Sequence, residues 1–170
     1  LSIRRQRQMC IRDRDYLIVD LPPGTGDIQL TLSQKIPVTG AIIVTTPQDI
    51  ALLDARKGLK MFEKVNVPII GIVENMASHI CSKCGHEEHI FGEGGGHKMS
   101  DDYKVELLGS LPLDINIREQ LDLGTPTLVS DKDGKIASIY KEIAIKTSLN
   151  IAVLNEDSTN KFPKIVIEKS

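Results

Sequence analysis

The sequence predicts an α/β protein in which a parallel sheet is flanked by helices, and two observations support this fold class. Four short apolar runs are continuous rather than alternating, which is typical of strands covered on both faces. Helical patterns lie between and after these runs, so we expect βαβ units with right-handed crossovers. With 170 residues, the chain is long enough for one domain with its own core.

Each predicted strand is one of the continuous apolar runs. The runs cover residues 16–21, 41–46, 67–73 and 105–111. Pro-Pro-Gly follows the first run and Pro47 follows the second. Because proline has no amide proton to donate to a sheet, we expect both strands to end there.

Two helices are predicted from their start signals. Asp27 is expected to cap a helix over residues 28–35, since a short acidic side chain accepts from free amide protons at a helix start. Thr46 and Pro47 provide a cap and a first-turn proline for a second helix, which apolar residues at helical spacing extend to about Lys64.

The two ends of the chain differ in composition from its middle. Residues 1–14 are rich in arginine and contain no lysine; a basic arm is one interpretation, and we favour a non-native leader. A last amphipathic helix is predicted at residues 136–144, so the domain is expected to span residues 15–150. The polar segment at residues 151–170 is expected to be a loosely attached tail, with an added edge strand as the alternative.

Composition excludes several classes of protein. A net charge of −2 and an aromatic content of 4% without tryptophan argue against nucleic-acid binding. No apolar run approaches the roughly 20 residues of a membrane span, and no secretory signal is visible. Three cysteines, two of them in a Cys-x-x-Cys, fit a reducing compartment, so we expect a cytoplasmic protein.

The first predicted strand ends in an acid that a Pro/Gly loop follows directly. A carboxylate at Asp20 would lie at the carboxyl edge of a parallel sheet, where open α/β folds bind ligands. There it can hold Mg²⁺ that bridges nucleotide phosphates, while Gly24 lets the backbone approach and Thr25 contacts a γ-phosphate or the attacking water. The alternative is a strand-capping aspartate before a tight turn.

Cys81 and Cys84 form a Cys-x-x-Cys that Gly85 follows. Two thiolates at this spacing grip one metal, and a tetrahedral site or a cubane cluster needs four ligands. His86 and His89 complete a zinc site in one interpretation, and a second chain supplies its own pair in another. A redox pair and two unliganded surface cysteines are further alternatives.

The glycine-rich segment at residues 91–97 resembles a phosphate loop only superficially. It lacks the Gly-Lys-Ser/Thr ending of such a loop, and no apolar helix is predicted after it. We expect a flexible connector, with His97 in solvent.

Taken together, these motifs resemble the Mrp/ApbC family of iron–sulfur cluster carriers, within the deviant-Walker MinD/ParA class of P-loop ATPases. The resemblance covers about residues 15–150 and implies an incomplete P-loop NTPase fold. The matching strings are Asp20-Leu-Pro-Pro-Gly-Thr-Gly-Asp27, Val73-Glu-Asn-Met76, Cys81-x-x-Cys84-Gly85 with Phe91-Gly-x-Gly-Gly-Gly96, and Leu108-Gly-x-Leu-Pro-Leu-Asp114 followed by Ile117-Arg-Glu119.

The resemblance implies a homodimer that holds a labile [4Fe–4S] cluster between two Cys81/Cys84 pairs and delivers it to apo iron–sulfur proteins. ATP binding and slow hydrolysis would gate loading or delivery. The residues implied at the Mg–ATP site are Asp20 at the catalytic metal centre, Gly24 and Thr25 in the nucleotide switch, and Asn75, Pro112 and Asp114 around the adenine.

One departure from the family pattern concerns the phosphate loop. No Gly-x-x-x-x-Gly-Lys-Ser/Thr string occurs in the sequence, and residues 1–14 stand where the family has its lysine-bearing loop. We therefore expect this polypeptide to bind ATP poorly and not to hydrolyse it. Two alternative functions remain: a zinc-binding interaction module, and a MinD/ParA-like positioning ATPase without a cluster.

Overall fold

The computed structural model describes residues 15–21, 26–81 and 83–159, and a parallel sheet with helices on both faces forms its core. In chain order the strands are β1 (Ala41–Thr45), β2 (Ile69–Glu74), β3 (His79–Ile80), β4 (Glu87–Glu88) and β5 (Leu107–Ser110). The helices are α1 (Asp27–Lys35), α2 (Asp49–Lys64), α3 (Gly95–Tyr103), α4 (Ile115–Asp122), α5 (Thr127–Ser130) and α6 (Lys135–Thr159). The predicted α/β fold class is confirmed.

The main sheet has the order β1-β2-β5, and both of its ladders are parallel. Ile72 in the central strand lies opposite Ile43 of β1 and Leu107 of β5. Five of the six residues of β2 are buried, as expected for a strand with helices on both sides. Three of the four predicted strands are therefore confirmed, each within about two residues.

Different helices cover the two faces of the sheet. On one face α2 and α3 enclose the fully buried Leu59, Ile72 and Met99. On the other, α6 packs on Leu108 and on Gly109, where an added Cβ would lie 2.7 Å from Ile143. A glycine in β5 thus lets the long last helix approach the sheet closely.

The strand predicted at residues 16–21 is wrong. This segment belongs to no sheet, and the side chains of Leu17 and Ile18 are 70% and 87% exposed. An apolar run is suited to a buried strand, but a strand also needs a neighbouring backbone to pair with. In the described part of the chain no strand pairs with this segment, and only Leu21 packs against the core.

Both predicted helix caps differ from the structure. Asp27 is the first residue of α1 and Gly26 is the N-cap, without a side-chain capping bond. The second helix, α2, begins at Asp49 after an N-cap at Gln48, so Thr46 does not cap it. The helices themselves, ending at residues 35 and 64, are confirmed.

Other differences follow from tertiary packing that a local pattern does not report. The last helix continues through Thr159, nine residues into the segment where we expected a loose tail, while residues 160–170 lie outside the described residues. The glycine-rich segment is not simply a connector, because α3 begins within it at Gly95 and buries Met99. Within the described residues, no helix is both long and apolar enough to cross a bilayer.

Candidate functional site

The carboxyl ends of β1, β2 and β5 meet at one edge of the sheet, because all three strands are parallel. Asn75 follows β2 at this edge, and its amide N–H donates to the carbonyl of Thr45 at the end of β1, with an N···O distance of 2.7 Å. The structure thus places Asn75 at the carboxyl edge of the sheet, and the adenine role that the resemblance implies for it stays a prediction.

The turn after Asn75 has a strained backbone. Met76 has a φ of 56°, in the left-handed region that a bulky side chain seldom adopts. The side-chain oxygen of Asn75 accepts from the Met76 amide at 3.0 Å, which holds this conformation in place. Backbone strain of this kind concentrates at functional sites. Sequence reasoning missed Met76, since nothing in its side chain signals a positive φ.

The segment after β5, residues 111–114, returns to the same edge and is called the 111–114 turn below. The amide of Leu111 donates to the carbonyl of Glu74 at 2.8 Å, so the turn begins beside the end of β2. Pro112 follows Leu111 in this turn, at the same sheet edge as Asn75; the family resemblance implies both residues around the adenine. The adenine role of both residues stays a prediction.

Asp114, at the end of this turn, has a structural role as a helix cap. Its Oδ1 accepts from the amide of Asn116 at 2.7 Å and from the Asn116 side chain at 2.8 Å, and it is the N-cap of α4. A short acid at this position satisfies an amide proton that the first helical turn leaves free. A contact of Asp114 with adenine would therefore have to use its other oxygen or its backbone.

Asp20 is not brought to this edge by a strand. Its side chain is exposed, and it forms no hydrogen bond or ion pair with any described residue. Gly24 and Thr25, predicted in the nucleotide switch, lie outside the described residues. The structure thus does not show Asp20 as part of a metal or nucleotide site, and its catalytic role stays a prediction.

A small antiparallel hairpin, residues 79–88, carries the cysteine pair and is called the Cys hairpin below. Strands β3 and β4 pair His79 with Glu88, and Cys81 follows β3 directly. The amide of Cys81 donates to the carbonyl of His86 at 2.9 Å, and the amide of Gly85 donates to the carbonyl of Cys81 at 2.8 Å. Gly85 has a φ of 71°, so a residue without a Cβ suits this tight loop.

Both cysteines of the loop are free thiols in different surroundings. Cys84 is exposed, whereas Cys81 is half-buried. The backbone N–H groups of Lys83 and Cys84 are directed at the Cys81 sulfur and lower the pKa of that thiol from its ordinary value of 9.0. The Cys84 thiol and the nearby His79 lower it further, while partial burial opposes them. Amide protons that favour a thiolate also favour a sulfur bound to metal.

The described residues do not assemble the donors of a complete metal site in one chain. Among them, no group of three or more His, Cys, Asp or Glu side chains is arranged to hold an ion. Nδ1 of His89 lies 2.9 Å from the carbonyl of Ala77 and donates to it, which leaves Nε2 as the ring nitrogen that could bind a metal. The described residues of one chain thus supply two cysteine thiols, fewer than the four donors that a tetrahedral zinc site or a cubane cluster takes.

Glu74 is a site residue that sequence reasoning missed. It ends β2, is only 3% exposed, and accepts from the amide of Gly96 at 2.7 Å and from the hydroxyl of Ser110 at 3.3 Å. Gly96 lies in the first turn of α3, so the carboxylate satisfies an amide at a helix start and complements the helix dipole. A glutamate at the end of an apolar strand, in a chain with a later run of glycines, is the signal that would have suggested it.

The chain matches the ParA family model, described as NUBPL iron-transfer P-loop NTPase, over residues 6–148. It is 64% identical over 138 residues to an iron-sulfur cluster carrier protein of Pseudomonas fragi, a match that covers 81% of this chain and 48% of that protein. It is 59% identical over 139 residues to the carrier protein of Escherichia coli K12, covering 82% and 38%.

A mouse relative has a related name. The iron-sulfur cluster transfer protein NUBPL of Mus musculus is 51% identical over 138 residues, a match that covers 81% of this chain and 43% of that protein. The chain therefore spans about half the length, or less, of the curated relatives it matches.

Two solved structures are similar. A nucleotide-binding protein from Archaeoglobus fulgidus in complex with ADP is 39% identical with a TM-score of 0.61, covering 71% of this chain and 48% of that one. The MinD cell division protein of Aquifex aeolicus is 18% identical with a TM-score of 0.54, covering 94% and 59%; at that identity the likeness shows the fold alone. The expectation of a P-loop NTPase type of fold is confirmed.

Proposed function

This chain belongs to the ParA family of NUBPL iron-transfer P-loop NTPases, and on that premise we propose that the protein carries an iron–sulfur cluster and passes it to apo iron–sulfur proteins. Relatives named as cluster carriers or cluster transfer proteins, at 51% to 64% identity, support this function. Cysteine usage supports a cytoplasmic site of action.

The observation that carries the proposal is the pair of free thiols on the Cys hairpin. Cys81 and Cys84 project from one short loop, and the surrounding amide protons favour the thiolate form of Cys81. A [4Fe–4S] cluster takes four thiolates, and one chain offers two in this hairpin. The cluster therefore bridges two copies of the protein in a homodimer, and Cys84, being exposed, leaves it open to a recipient.

Nucleotide binding is the second part of the proposal. Asn75 and the 111–114 turn lie together at the carboxyl edge of the sheet, where adenine would contact Asn75, Pro112 and Asp114. The nucleotide-binding relative that was solved with ADP supports nucleotide binding. Asp20, Gly24 and Thr25 would hold Mg²⁺ and report the γ-phosphate in the intact protein, with ATP gating cluster loading or delivery.

Anaerobic reconstitution with iron and sulfide tests the cluster assignment. We expect a broad visible charge-transfer absorbance, about two irons per chain and a dimer by analytical ultracentrifugation. Cys81→Ser and Cys84→Ser should each abolish all three, because each removes one of the two ligands that a chain provides. Cys10→Ser, which removes the third cysteine, is the matched control and should behave like the wild type.

A different outcome would favour the zinc alternative. A colourless protein that retains one zinc ion per monomer, and loses it on Cys81→Ser, contradicts the carrier function. Cluster assembly that also fails in Cys10→Ser would contradict the assignment of the ligands to the Cys hairpin.

A further inference from the structure

We propose that His79 is a positioning residue that clamps the Cys hairpin to the 111–114 turn and so fixes where Cys81 and Cys84 stand. The inference rests on the proposed function of the cysteine pair and deepens it. The contact between His79 and Leu113 joins the proposed cluster-binding hairpin to the proposed adenine edge.

The clamp is one side-chain hydrogen bond over a long stretch of chain. Nδ1 of His79 lies 3.1 Å from the carbonyl oxygen of Leu113, thirty-four positions away in sequence. A carbonyl oxygen only accepts, so Nδ1 carries the proton and donates. The ring is half-buried, and His79 stands two residues before Cys81, so the bond acts at the base of the cysteine loop.

Two backbone hydrogen bonds lie directly beside this contact. The amide of Ala77 donates to the carbonyl of Leu111 at 2.9 Å, and the amide of Leu113 donates to the carbonyl of Ser78 at 2.7 Å. Three successive residues before the cysteine loop are therefore bonded to the same turn. The base of the hairpin and the turn move together, since separating them breaks all three bonds.

The other histidines of this region lack that link. Nδ1 of His89 bonds to the carbonyl of Ala77, which ties the end of the hairpin to its own beginning and not to the turn. The His86 ring is exposed and has no bonding partner among the described residues. Within the described part of the chain, His79 is thus the hairpin side chain that reaches the 111–114 turn.

The position of the clamp gives it a consequence for function. The 111–114 turn contains Pro112 and Asp114, which are proposed to contact adenine, and it bonds through Leu113 to the strand that leads into Cys81. A displacement of the turn is therefore passed to the cysteine pair. Loss of the clamp loosens the pair even without nucleotide.

Three variants of the full chain separate the hydrogen bond from other effects. His79→Phe keeps an aromatic ring and removes the donor, whereas His79→Asn places an amide nitrogen near the position of Nδ1. His86→Phe makes the same exchange on the same hairpin at a ring without a described partner. Each is loaded with a cluster anaerobically, and the loss of visible absorbance to an iron chelator is timed, with thermal melting recorded in parallel.

We expect His79→Phe to lose its cluster roughly fivefold faster, the effect of one hydrogen bond, with the wild-type melting transition otherwise retained. His79→Asn and His86→Phe should lose it at close to the wild-type rate. Equal rates for His79→Phe and the wild type overturn the proposal. Failure of His79→Asn to restore retention assigns the effect to the packing of the ring and also overturns it.

Amide hydrogen exchange of the cluster-free chain is a second test of the His79 clamp, and it does not depend on the cluster. The Ala77 and Leu113 amides should exchange faster in His79→Phe than in the wild type or His86→Phe. If no protein, wild type included, takes up a cluster, the proposed function fails while this measurement still decides on the clamp. Unchanged exchange of both amides in His79→Phe overturns it.

Discussion

Cys81 and Cys84 each have a free thiol, but the two thiols lie in different surroundings. Cys81 is half-buried and receives backbone N–H groups, whereas Cys84 is exposed. The sequence predicts that two thiols at this spacing act together, because a Cys-x-x-Cys turn presents both sulfurs. It does not predict which of them is the better thiolate, since that depends on the direction of amide protons in the folded loop.

A pH titration of thiol reactivity tests this difference. The lowered pKa of Cys81, caused mainly by the Lys83 and Cys84 amides, favours its thiolate, so the thiolate persists to a lower pH than in free cysteine. Because the thiolate is the nucleophile, alkylation of Cys81 in the cluster-free chain should begin at a lower pH than that of N-acetylcysteine. Brief iodoacetamide pulses with peptide mass spectrometry measure it. A midpoint at or above that of N-acetylcysteine contradicts the prediction.

The proposed nucleotide residues show how far single positions are predictable. Asn75 and the 111–114 turn lie at the same sheet edge because parallel strands end there, and the parallel sheet was predicted from the sequence. Asp114 was predicted as a ligand residue, and its carboxylate caps α4 instead of standing free. Asp20 depends on a strand that has no partner in the described chain, so its place cannot follow from the local sequence.

At the scale of elements, α3 is the main feature that the sequence patterns failed to predict. Glycine has a low helix propensity, so a sequence that begins with Gly95 and Gly96 is predicted to be a loop. Packing reverses this expectation: an added Cβ on Gly95 would lie 2.8 Å from Leu52, and one on Gly96 would lie 2.9 Å from Glu74. The glycines allow α3 to approach the sheet edge closely, which places the Gly96 amide against the Glu74 carboxylate.

Matched glycine substitutions test this interpretation of α3. Gly96→Ala should destabilise the chain by about 1–3 kcal/mol, since its Cβ is forced against Glu74 and the short Glu74 to Gly96 hydrogen bond is displaced. Gly58→Ala, in the middle of α2 with nothing within 4 Å of the added Cβ, should stabilise it by about 0.4–1 kcal/mol. Urea unfolding followed by circular dichroism gives both free energies. If both substitutions change the free energy of unfolding in the same direction, the packing interpretation of α3 is contradicted.

The last helix is likewise underestimated by the sequence pattern. The pattern at residues 136–144 predicts a short helix, and α6 instead runs from Lys135 to Thr159. Asn150 contributes to this extension, because its side-chain amide donates to the carbonyl of Ile70 in β2 at 3.0 Å and to Glu106 at 2.8 Å. Ile70 and Glu106 are eighty and forty-four positions away from Asn150, so a local sequence pattern does not predict these hydrogen bonds.

The molecule as a whole combines a buried sheet with two candidate functional regions at one edge. The Cys hairpin and the 111–114 turn both follow strands of the same parallel sheet, so they are neighbours although Cys81 and Leu113 are far apart in sequence. The sequence predicts the parallel sheet and therefore the edge. It does not predict the bonds between hairpin and turn, because these depend on how two irregular segments fold against each other.

The nucleotide region in this chain is predicted to be inactive by itself. Phosphate binding needs several amide donors and a lysine in a glycine-rich loop, and the sequence contains no Gly-x-x-x-x-Gly-Lys-Ser/Thr string. The structure adds that Asp20 is exposed and bonds to no described residue. We therefore expect only weak ATP binding by isothermal titration calorimetry and no phosphate release above background from the purified chain.

The control for this prediction is Asp20→Asn, which keeps the size of the side chain and removes the charge that would hold Mg²⁺. Residual phosphate release that is equal in the chain and in Asp20→Asn originates from a contaminating ATPase and leaves the prediction intact. Release that exceeds background and falls on Asp20→Asn contradicts it, because the chain would then hold a working Mg–ATP centre.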